Sequence, residues 1–539
     1  MTGPGDRAYR LQLLLVALLT AIILVLSAHS QIYDTNFYFL WEAVSILAGD
    51  NPYRDVYDMG SPLVAYLSAG AQLLTGYRLI GEFLTQWSFI IAGVVIAFDL
   101  GLRISRSAGF VWATLPVALI VLAYTPTYHY PKLFFFPLTT WLGWRYMERP
   151  NAGFGAVFGL TAAAAFLFRH DFGAYIGFAS VLALGLTRLT RPMRPARAVL
   201  RDVAAYVAAM AVVLVPWAAI VQHYEGLFEY VQVRAALYES PERGFVYATF
   251  LQLRPLDTLK EWMQAPRSDA SAAFAAAWLQ QIVLLVSFLL LATGAAALWR
   301  RRAHSRANRD EACRLLFAGA FLVVIDAALL QEPSYLTVVA PLTATLGARF
   351  LHGNVVIQRA CATGFLLLAA VTAVLWTRES ALFRPSEFAR SAARAFEVLL
   401  ASPPVSLSTP LDGNPTLSLR YLHECTTPDD RILVTGSTPY QVAYYAQRPI
   451  AGGQLYWRHQ WRSDSRHEAQ SLALLEQQSV PFAFSTDEPV LKDFEPYPRI
   501  RQYLAEHYVE LEGSNGRVLI DRRRQPTGTF GSLRFPCFR

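Results

Sequence analysis

Long apolar blocks separated by short, arginine-bearing loops are the feature that most limits what this chain can fold into. The hydrocarbon core of a bilayer needs about 20 apolar residues per helix. Blocks approaching that length recur at residues 11–28, 79–100, 110–124, 133–146, 154–168, 172–186, 203–221, 275–299, 315–330, 336–350 and 360–376. Only 16% of the residues are charged, against about 25% in soluble domains. The pattern predicts a polytopic α-helical membrane protein with about eleven transmembrane helices.

The arginines give the orientation. Arg7 and Arg10 precede the first block, and Arg103 and Arg106 follow the second. Arg145 with Arg149, then Arg188, Arg191, Arg194, Arg197 and Arg201, then Arg300, Arg301 and Arg302 fall at alternate loops further on. By the positive-inside rule the N-terminus is cytoplasmic. Loops 31–77 and 222–274 and the segment after 376 are then extracytoplasmic. The first block is followed by Ser27-Ala28-His29-Ser30, a poor cleavage site, and reads as a retained signal anchor. The formal net charge of +7 is accounted for by these loops. No basic stripe interleaved with aromatics occurs, so no nucleic-acid partner is expected.

The first outer loop is unusual. Asp34, Glu42, Asp50, Asp55 and Asp58 alternate there with Tyr33, Tyr38, Trp41, Tyr53 and Tyr57. Phe37, Leu40, Trp41, Val44 and Leu47 recur at helical spacing, with Tyr38, Glu42 and Ser45 on other faces. That spacing predicts an amphipathic interfacial helix, capped by Asp34 or Thr35, with Glu42 on its solvated face. Residues 63–74 are apolar but too short to span, and predict a second interfacial or half-buried helix.

From residue 377 the composition turns polar and mixed, which predicts two domains, a membrane domain over 1–376 and a small α/β domain over 377–539. Strands are expected at 431–436 and 482–484, helices at 438–447, 465–478 and 497–507, and a closing hairpin from 509–512 and 517–521 around Ser514-Asn515-Gly516. The chain has four cysteines, with no CxxC and no zinc-type spacing. Cys425 and Cys537 can pair if the tail faces an oxidising space; sequence leaves the connectivity open.

Asp34 just past the first span, then Gly49-Asp50-Asn51-Pro52-Tyr53-Arg54-Asp55, then Asp58-Met59-Gly60-Ser61-Pro62-Leu63 and Arg78-Leu79 form an ordered series. It resembles the GT-C superfamily of membrane glycosyltransferases, and within it the protein O-mannosyltransferase and lipid A aminoarabinose transferase-like group. The resemblance is clearest over about the first 100 residues. It implies a GT-C-like transmembrane domain with a C-terminal extracytoplasmic domain. It also implies transfer of a sugar from a polyprenyl-phosphate donor to a cell-envelope glycan, lipid or protein acceptor. Many relatives place a lysine before the Pro-Leu run, where this chain has Ser61. Many place an acidic residue in the second outer loop, where this chain has His129 and Lys132. The phosphate ligands are therefore expected to be arranged differently here. No cofactor is implied with certainty, and a divalent metal is left open.

Such a transfer needs a base for the acceptor hydroxyl, cations for the departing phosphate and an interfacial groove for the lipid. Direct attack inverts the anomeric carbon and needs one carboxylate. The resemblance implies Asp34 as that base, with Asp55 and Asp58 as further catalytic candidates against a plain turn-forming role. Arg169, at the outer end of a span, is the candidate phosphate ligand, against a snorkelling arginine paired with Asp171. Lys132 and His129 fall on the same outer surface as donor-phosphate candidates. Asp326 lies in the outer half of a span. Tyr335, Trp262 and Arg243 are candidates for an acceptor or lipid groove. Tyr440, Tyr444, Tyr445 and Arg448 read as fold rather than site.

Three rivals stand beside this reading. A lipid-sugar transporter would place its charges at the midplane, whereas these cluster at outer ends. A ligase or polymerase using a lipid-diphosphate donor fits a basic outer loop, here Arg234, Arg243 and Arg254. A non-catalytic scaffold leaves the acidic first loop unexplained.

Overall fold

The computed structural model describes residues 4–28, 32, 37–58, 60–105, 108–124, 127–190, 194–238, 306–329, 363, 385–401, 419–436, 440–457, 462–532 and 534–539. Helices come first: α1 (Pro4–Ser27), α2 (Leu40–Leu47), α3 (Pro62–Thr75), α4 (Leu79–Ser105), α5 (Ala108–Tyr124), α6 (Tyr130–Glu148), α7 (Ala152–Phe168), α8 (His170–Thr190), α9 (Ala196–Tyr224) and α10 (Leu227–Tyr238). Then follow α11 (Arg306–Leu329), α12 (Pro385–Leu400) and α13 (Leu419–Glu424). The tail alternates: β1 (Ile432–Thr435), α14 (Tyr440–Ala446), α15 (Ser465–Gln477), β2 (Phe482–Ser485), α16 (Val490–Asp493), α17 (Pro498–His507), β3 (Tyr508–Glu510), β4 (Val518–Asp521), β5 (Gly528–Phe530) and β6 (Phe535–Cys537).

Every span expected within the described residues lies in a helix. Three of these helices are long and apolar enough to cross a membrane: residues 7–27 of α1, 79–103 of α4, and α9. The spans expected at 275–299, 336–350 and, apart from residue 363, 360–376 lie outside the described residues. Contacts divide the chain into two compact units. One comprises 1–31, 86–216 and 245–393, the other 32–85, 217–244 and 394–539.

The first unit is a helical bundle packed through small residues. Gly155 and Gly159, four apart on α7, face the carbonyls of Asp202 and Tyr206 on α9; a Cβ would stand 2.6 Å and 2.2 Å from those oxygens. That spacing is the small-xxx-small pattern by which apolar helices approach closely. Gly93 of α4 meets the Leu133 carbonyl of α6 in the same way, at 2.0 Å. Carboxylates near helix ends take up the arginines. Asp99 binds Arg103 at 2.8 Å and accepts from Trp141 at 2.7 Å. Asp202 binds Arg194 at 2.7 Å and accepts from Tyr146 at 2.8 Å.

The second unit is built on a four-stranded sheet in the order β1-β2-β4-β3. β1 and β2 are parallel, with Ile432 opposite Phe482. β4 runs antiparallel to β2 and β3, with Phe484 opposite Val518 and Tyr508 opposite Asp521. The last pairing is the hairpin expected from the sequence. β1, β2 and β4 are buried along their length, as apolar runs covered on both faces should be. Successive side chains serve opposite faces. Val434, Phe484 and Val518 point to one core with Tyr421 and Val442, while Leu433, Ala483 and Leu519 point to another with Trp457, Phe494 and Tyr497. Cys425 and Cys537 are joined by a disulfide, which ties the end of α13 to β6.

Several expectations are corrected. α2 is not a surface helix with a solvated polar side: Leu40 through Ser45 are all buried, and Glu42 keeps only 4% of its surface exposed. The reason is tertiary. Trp41 and Val56 belong to the same core as Val434 and Phe484, so the sheet covers α2. Phe37 packs at 5.4 Å on both Tyr444 and Tyr445, and Tyr38 at 5.1 Å on Tyr440, which places those tail tyrosines in the fold. The N-cap of α2 is Phe39, with no side-chain bond, while Asp34 and Thr35, the expected caps, lie outside the described residues. The expected loop at Arg169–Asp171 is a single-residue break, Arg169 closing α7 and His170 opening α8. Loop 222–274 contains α10, and the polar segment after 376 contains α12. α3 is half-buried as expected, with Val64, Ser68 and Gln72 inside and Tyr66, Leu73 and Leu74 outside.

Candidate functional site

The acidic turn of the first loop is held by its own backbone and by the second unit's helices. Asp55 accepts from the Asn51 amide at 2.9 Å and from Arg54 Nη2 at 2.6 Å. Burial raises the Asp55 pKa, but the Arg54 and Asn51 bonds outweigh it and hold the carboxyl below its ordinary value. Asp55 thus closes the turn, the ordinary work of an aspartate at such a position. Tyr53, inside the turn, has φ +76°, a left-handed conformation that a tyrosine rarely adopts. Its hydroxyl accepts from Trp217 Nε1 at 2.9 Å, and its ring packs on Tyr230.

Asp58 is buried. Its Oδ1 accepts from the Ser61 amide at 3.0 Å, just ahead of α3. Its Oδ2 accepts from the Tyr230 hydroxyl of α10 at 2.6 Å. Burial, and next the Asp58 charge, push the Tyr230 phenol far above its ordinary pKa, so it stays protonated and donates. Arg234, one turn on, lies 3.8 Å from Asp58 Oδ2 and also donates to the Asp58 carbonyl. Asp58 and Glu42 line one small, otherwise apolar cavity with Ile46, Pro52, Val56, Pro62 and Ala65.

The basic candidates belong to the first unit. Thr127–His129 is a turn of 3₁₀ helix leading into α6, whose first turn carries Lys132. Lys132 and His129 are both buried, with Nζ and Nδ1 3.3 Å apart. Burial lowers the pKa of His129, and the Lys132 and Arg169 charges lower it further; burial, and next the Arg169 charge, push that of Lys132 well down too, against the nearby Asp171 charge. Arg169 Nε pairs with Asp171 at 2.9 Å, and its guanidinium lies 5.0 Å from the Phe172 ring. The arginine–aspartate pair weighed against a phosphate role is therefore present. Phe89, Tyr130, Phe135 and Phe168 form an aromatic cluster that includes two residues of the first turns of α6, and Phe168 meets each of the other three edge-to-face.

Asp34, Arg243, Trp262 and Tyr335 lie outside the described residues, as does the side chain of Asp326. Among the described residues no group of three or more His, Cys, Asp or Glu is gathered as a metal would need.

The sequence marked Arg234 only as a basic residue of the long loop and gave Tyr230 no role, yet these two hold Asp58. Tyr230 and Arg234 are four apart on α10, which puts both on one face. Glu225, in the link between α9 and α10, bonds Arg234 at 3.4 Å and Arg462 at 2.9 Å. Asp50 forms a two-point ion pair with Arg431, at the start of β1, one contact being 2.8 Å. Glu229 meets Arg466 at 2.9 Å and His467 at 3.1 Å on α15. The signal available was the run of charges at 225–234 in an otherwise apolar surrounding.

The described residues define a largely α-helical integral membrane protein in which the segments 32–85 and 217–244 fold together with a C-terminal mixed sheet. No protein-family model matches the sequence, and no curated protein is similar to it. Among solved structures it is similar to ArnT from Cupriavidus metallidurans bound to undecaprenyl phosphate, with TM-score 0.46 and 16% identity over 95% of this chain and 98% of that one. It is similar also to ArnT from Cupriavidus metallidurans in the apo state, with TM-score 0.45 and 16% identity over 96% and 98%.

Proposed function

We propose that the protein is an integral-membrane glycosyltransferase that moves a sugar from a polyprenyl-phosphate donor to an extracytoplasmic envelope acceptor. The observation that carries this reading is the gathering of Lys132, His129 and Arg169 at the ends of α6, α7 and α8. Cations near the ends of apolar helices are costly and are often functional. A phosphate offers the charge-assisted bonds that would offset them.

In this reading Arg169 and Lys132 bind the donor phosphate, with His129 donating or accepting as a neutral ring. Asp34 takes the proton of the acceptor hydroxyl. The acceptor oxygen then forms its bond to the anomeric carbon as the carbon–oxygen bond to phosphate breaks. The electron pair leaves on the phosphate oxygen, where the cations stabilise it. One displacement inverts the anomeric centre. Asp55 and Asp58 shape the loop that follows Asp34, since both carboxylates are already engaged by protein donors. Those engagements do not fit a metal-holding set, and no step is routed through a metal. The disulfide supports placing the tail in an oxidising, extracytoplasmic space.

The test is transfer by the purified full chain from a panel of polyprenyl-phosphate sugars, with Asp34→Asn and Lys132→Gln beside the wild type. Undecaprenyl phosphate serves as the competitor. Turnover that both variants lose supports the reading. Full activity in folded Asp34→Asn removes the base, and turnover confined to lipid-diphosphate donors removes the donor class.

A further inference from the structure

We infer that Arg462 and Glu225 are positioning residues that act on the first loop through Arg234 and Asp58. The inference rests on the proposed transfer reaction for its consequence, but its geometry stands apart from it.

Four charges alternate in sign along one buried path. Asp58 Oδ2 lies 3.8 Å from Arg234, Arg234 Nη1 lies 3.4 Å from Glu225 Oε1, and that same oxygen lies 2.9 Å from Arg462 Nη1. The side chains are 2%, 8%, 4% and 1% exposed, in that order. Each arginine is stacked on a tyrosine, Arg234 3.2 Å from the centre of Tyr230 and Arg462 3.4 Å from that of Tyr57. Tyr57 lies one residue before Asp58. Tyr230 bonds Asp58 directly. Each arginine therefore grips the turn twice, by charge along the path and by a ring.

This construction is expensive as mere packing. An apolar set of equal volume is often as stable as a buried ion pair or more so. Here Glu225 Oε2, Arg234 Nε and Arg462 Nε are buried with no hydrogen-bond partner among the described residues. Arg462 has φ +47° and Tyr53 φ +76°, both strained for their residue types. Charge, orphaned polar atoms and backbone strain gather around the same turn. Such features persist where the surrounding structure over-determines them, and their usual place is beside a functional site. What the path fixes is the angle of the Asp58 carboxylate, and with it the Ser61 amide, the start of α3 and the turn at Tyr53. Hydrophobic contacts alone are non-directional and do not fix such an angle.

The experiment has two arms on the full chain. The first is backbone hydrogen exchange over residues 53–61, whose amides at Tyr53, Tyr57 and Ser61 bond to Val56, Gly453 and Asp58. Arg462→Gln and Glu225→Gln are expected to speed exchange there about tenfold, as Asp58→Asn does, and the Asp58→Asn/Arg462→Gln double variant no further. Arg462→Lys keeps the charge and is expected to recover part of the protection. Arg466→Gln, which removes an exposed pair to Glu229, is expected to leave the segment unchanged. The second arm is transfer kinetics: Arg462→Gln lowers kcat about tenfold with donor KM within about twofold. Unchanged exchange in folded Arg462→Gln and Glu225→Gln, or additive effects in the double variant, overturns the inference. A wild type that transfers no sugar overturns the function instead, and the exchange arm still decides the path.

Discussion

The ion pair between Asp50 and Arg431 offers the sharpest test of how the first loop is fixed to the tail. Asp50 ends the turn after α2, and Arg431 immediately precedes β1; the carboxylate is 4% exposed and the guanidinium 17%. Nη1 donates to one carboxylate oxygen and Nη2 to the other, and Nη1 also donates to the Ile450 carbonyl at 3.1 Å. Replacing one partner of a buried pair costs about 3–5 kcal/mol, because the other charge is left uncompensated. Arg431 keeps some solvent and its Ile450 bond, so Asp50→Ala is expected to cost about 2–4 kcal/mol. At about 2–4 °C per kcal/mol for a unit of this size, the melting temperature falls by about 5–15 °C. The assay is thermal unfolding of the full chain in detergent, followed by tryptophan fluorescence at a fixed scan rate. Removing both partners, as Asp50→Ala with Arg431→Met, should recover most of the loss, since no charge is then stranded. Arg54→Ala is the control: its pair with Asp55 is solvent-exposed and should leave the melting temperature unmoved. A shift in Asp50→Ala no larger than in Arg54→Ala would refute the coupling, as would a double variant worse than the single one.

Lys132→Met should weaken binding of undecaprenyl phosphate about 10–100-fold, the loss of one charge-assisted contact, as measured by competition against donor turnover. Cys537→Ser opens a loop of 112 residues, and loop-closure entropy puts the cost at about 4–5 kcal/mol; the full chain should melt lower, and dithiothreitol should lower the wild type equally. His423 is pushed below its ordinary pKa by burial first and by the Arg448 charge, against the bond to the Ala446 carbonyl. The unfolded chain therefore binds its proton before the folded one does. Stability from this group is full above about pH 6.5 and is lost as pH falls below it. His423→Gln should flatten the fall in melting temperature between pH 7 and pH 5.

The apolar helices within the described residues and the tail elements were legible because their periods are local. The run at β1, the alternation at β3 and β4, and the Ser514-Asn515-Gly516 turn each sit within a few residues, and each was found where expected. Glu42 and Ser45 were misread for a physical reason. A polar residue off the apolar face of a short helix reads as solvated unless something distant covers it, and the cover here is a sheet nearly four hundred residues on. The same distance hid the partners of Asp58. Tyr230 is 172 positions away, and the pair Arg431–Asp50 spans 381. α10 was legible only as charge in a loop, because its buried face is polar and no apolar stripe marks it. Lys132, His129 and Arg169 could be gathered from the sequence because each sits at the end of an apolar block, and block ends meet at a membrane surface.

The disposition of charge within the two units follows one physical rule. Arginines near helix ends of the bundle are neutralised by carboxylates close in space, Asp99 for Arg103 and Asp202 for Arg194. His129 and Lys132 are adjacent basic groups that are both buried, with the Asp171 charge acting on Lys132. In the second unit the excess is local and acidic, around Asp50, Asp55 and Asp58, and each carboxylate is met by an arginine. Burying two basic groups side by side carries a desolvation cost, seen in the lowered pKa of both. Retention of that cost is the reason to look for an anion at Lys132 and His129 rather than at Asp58. If Lys132→Met raised the melting temperature while abolishing undecaprenyl phosphate binding, the cost and its purpose would be separated in one variant. A stabilised variant that still bound the lipid would mean the ammonium is spent on the fold alone.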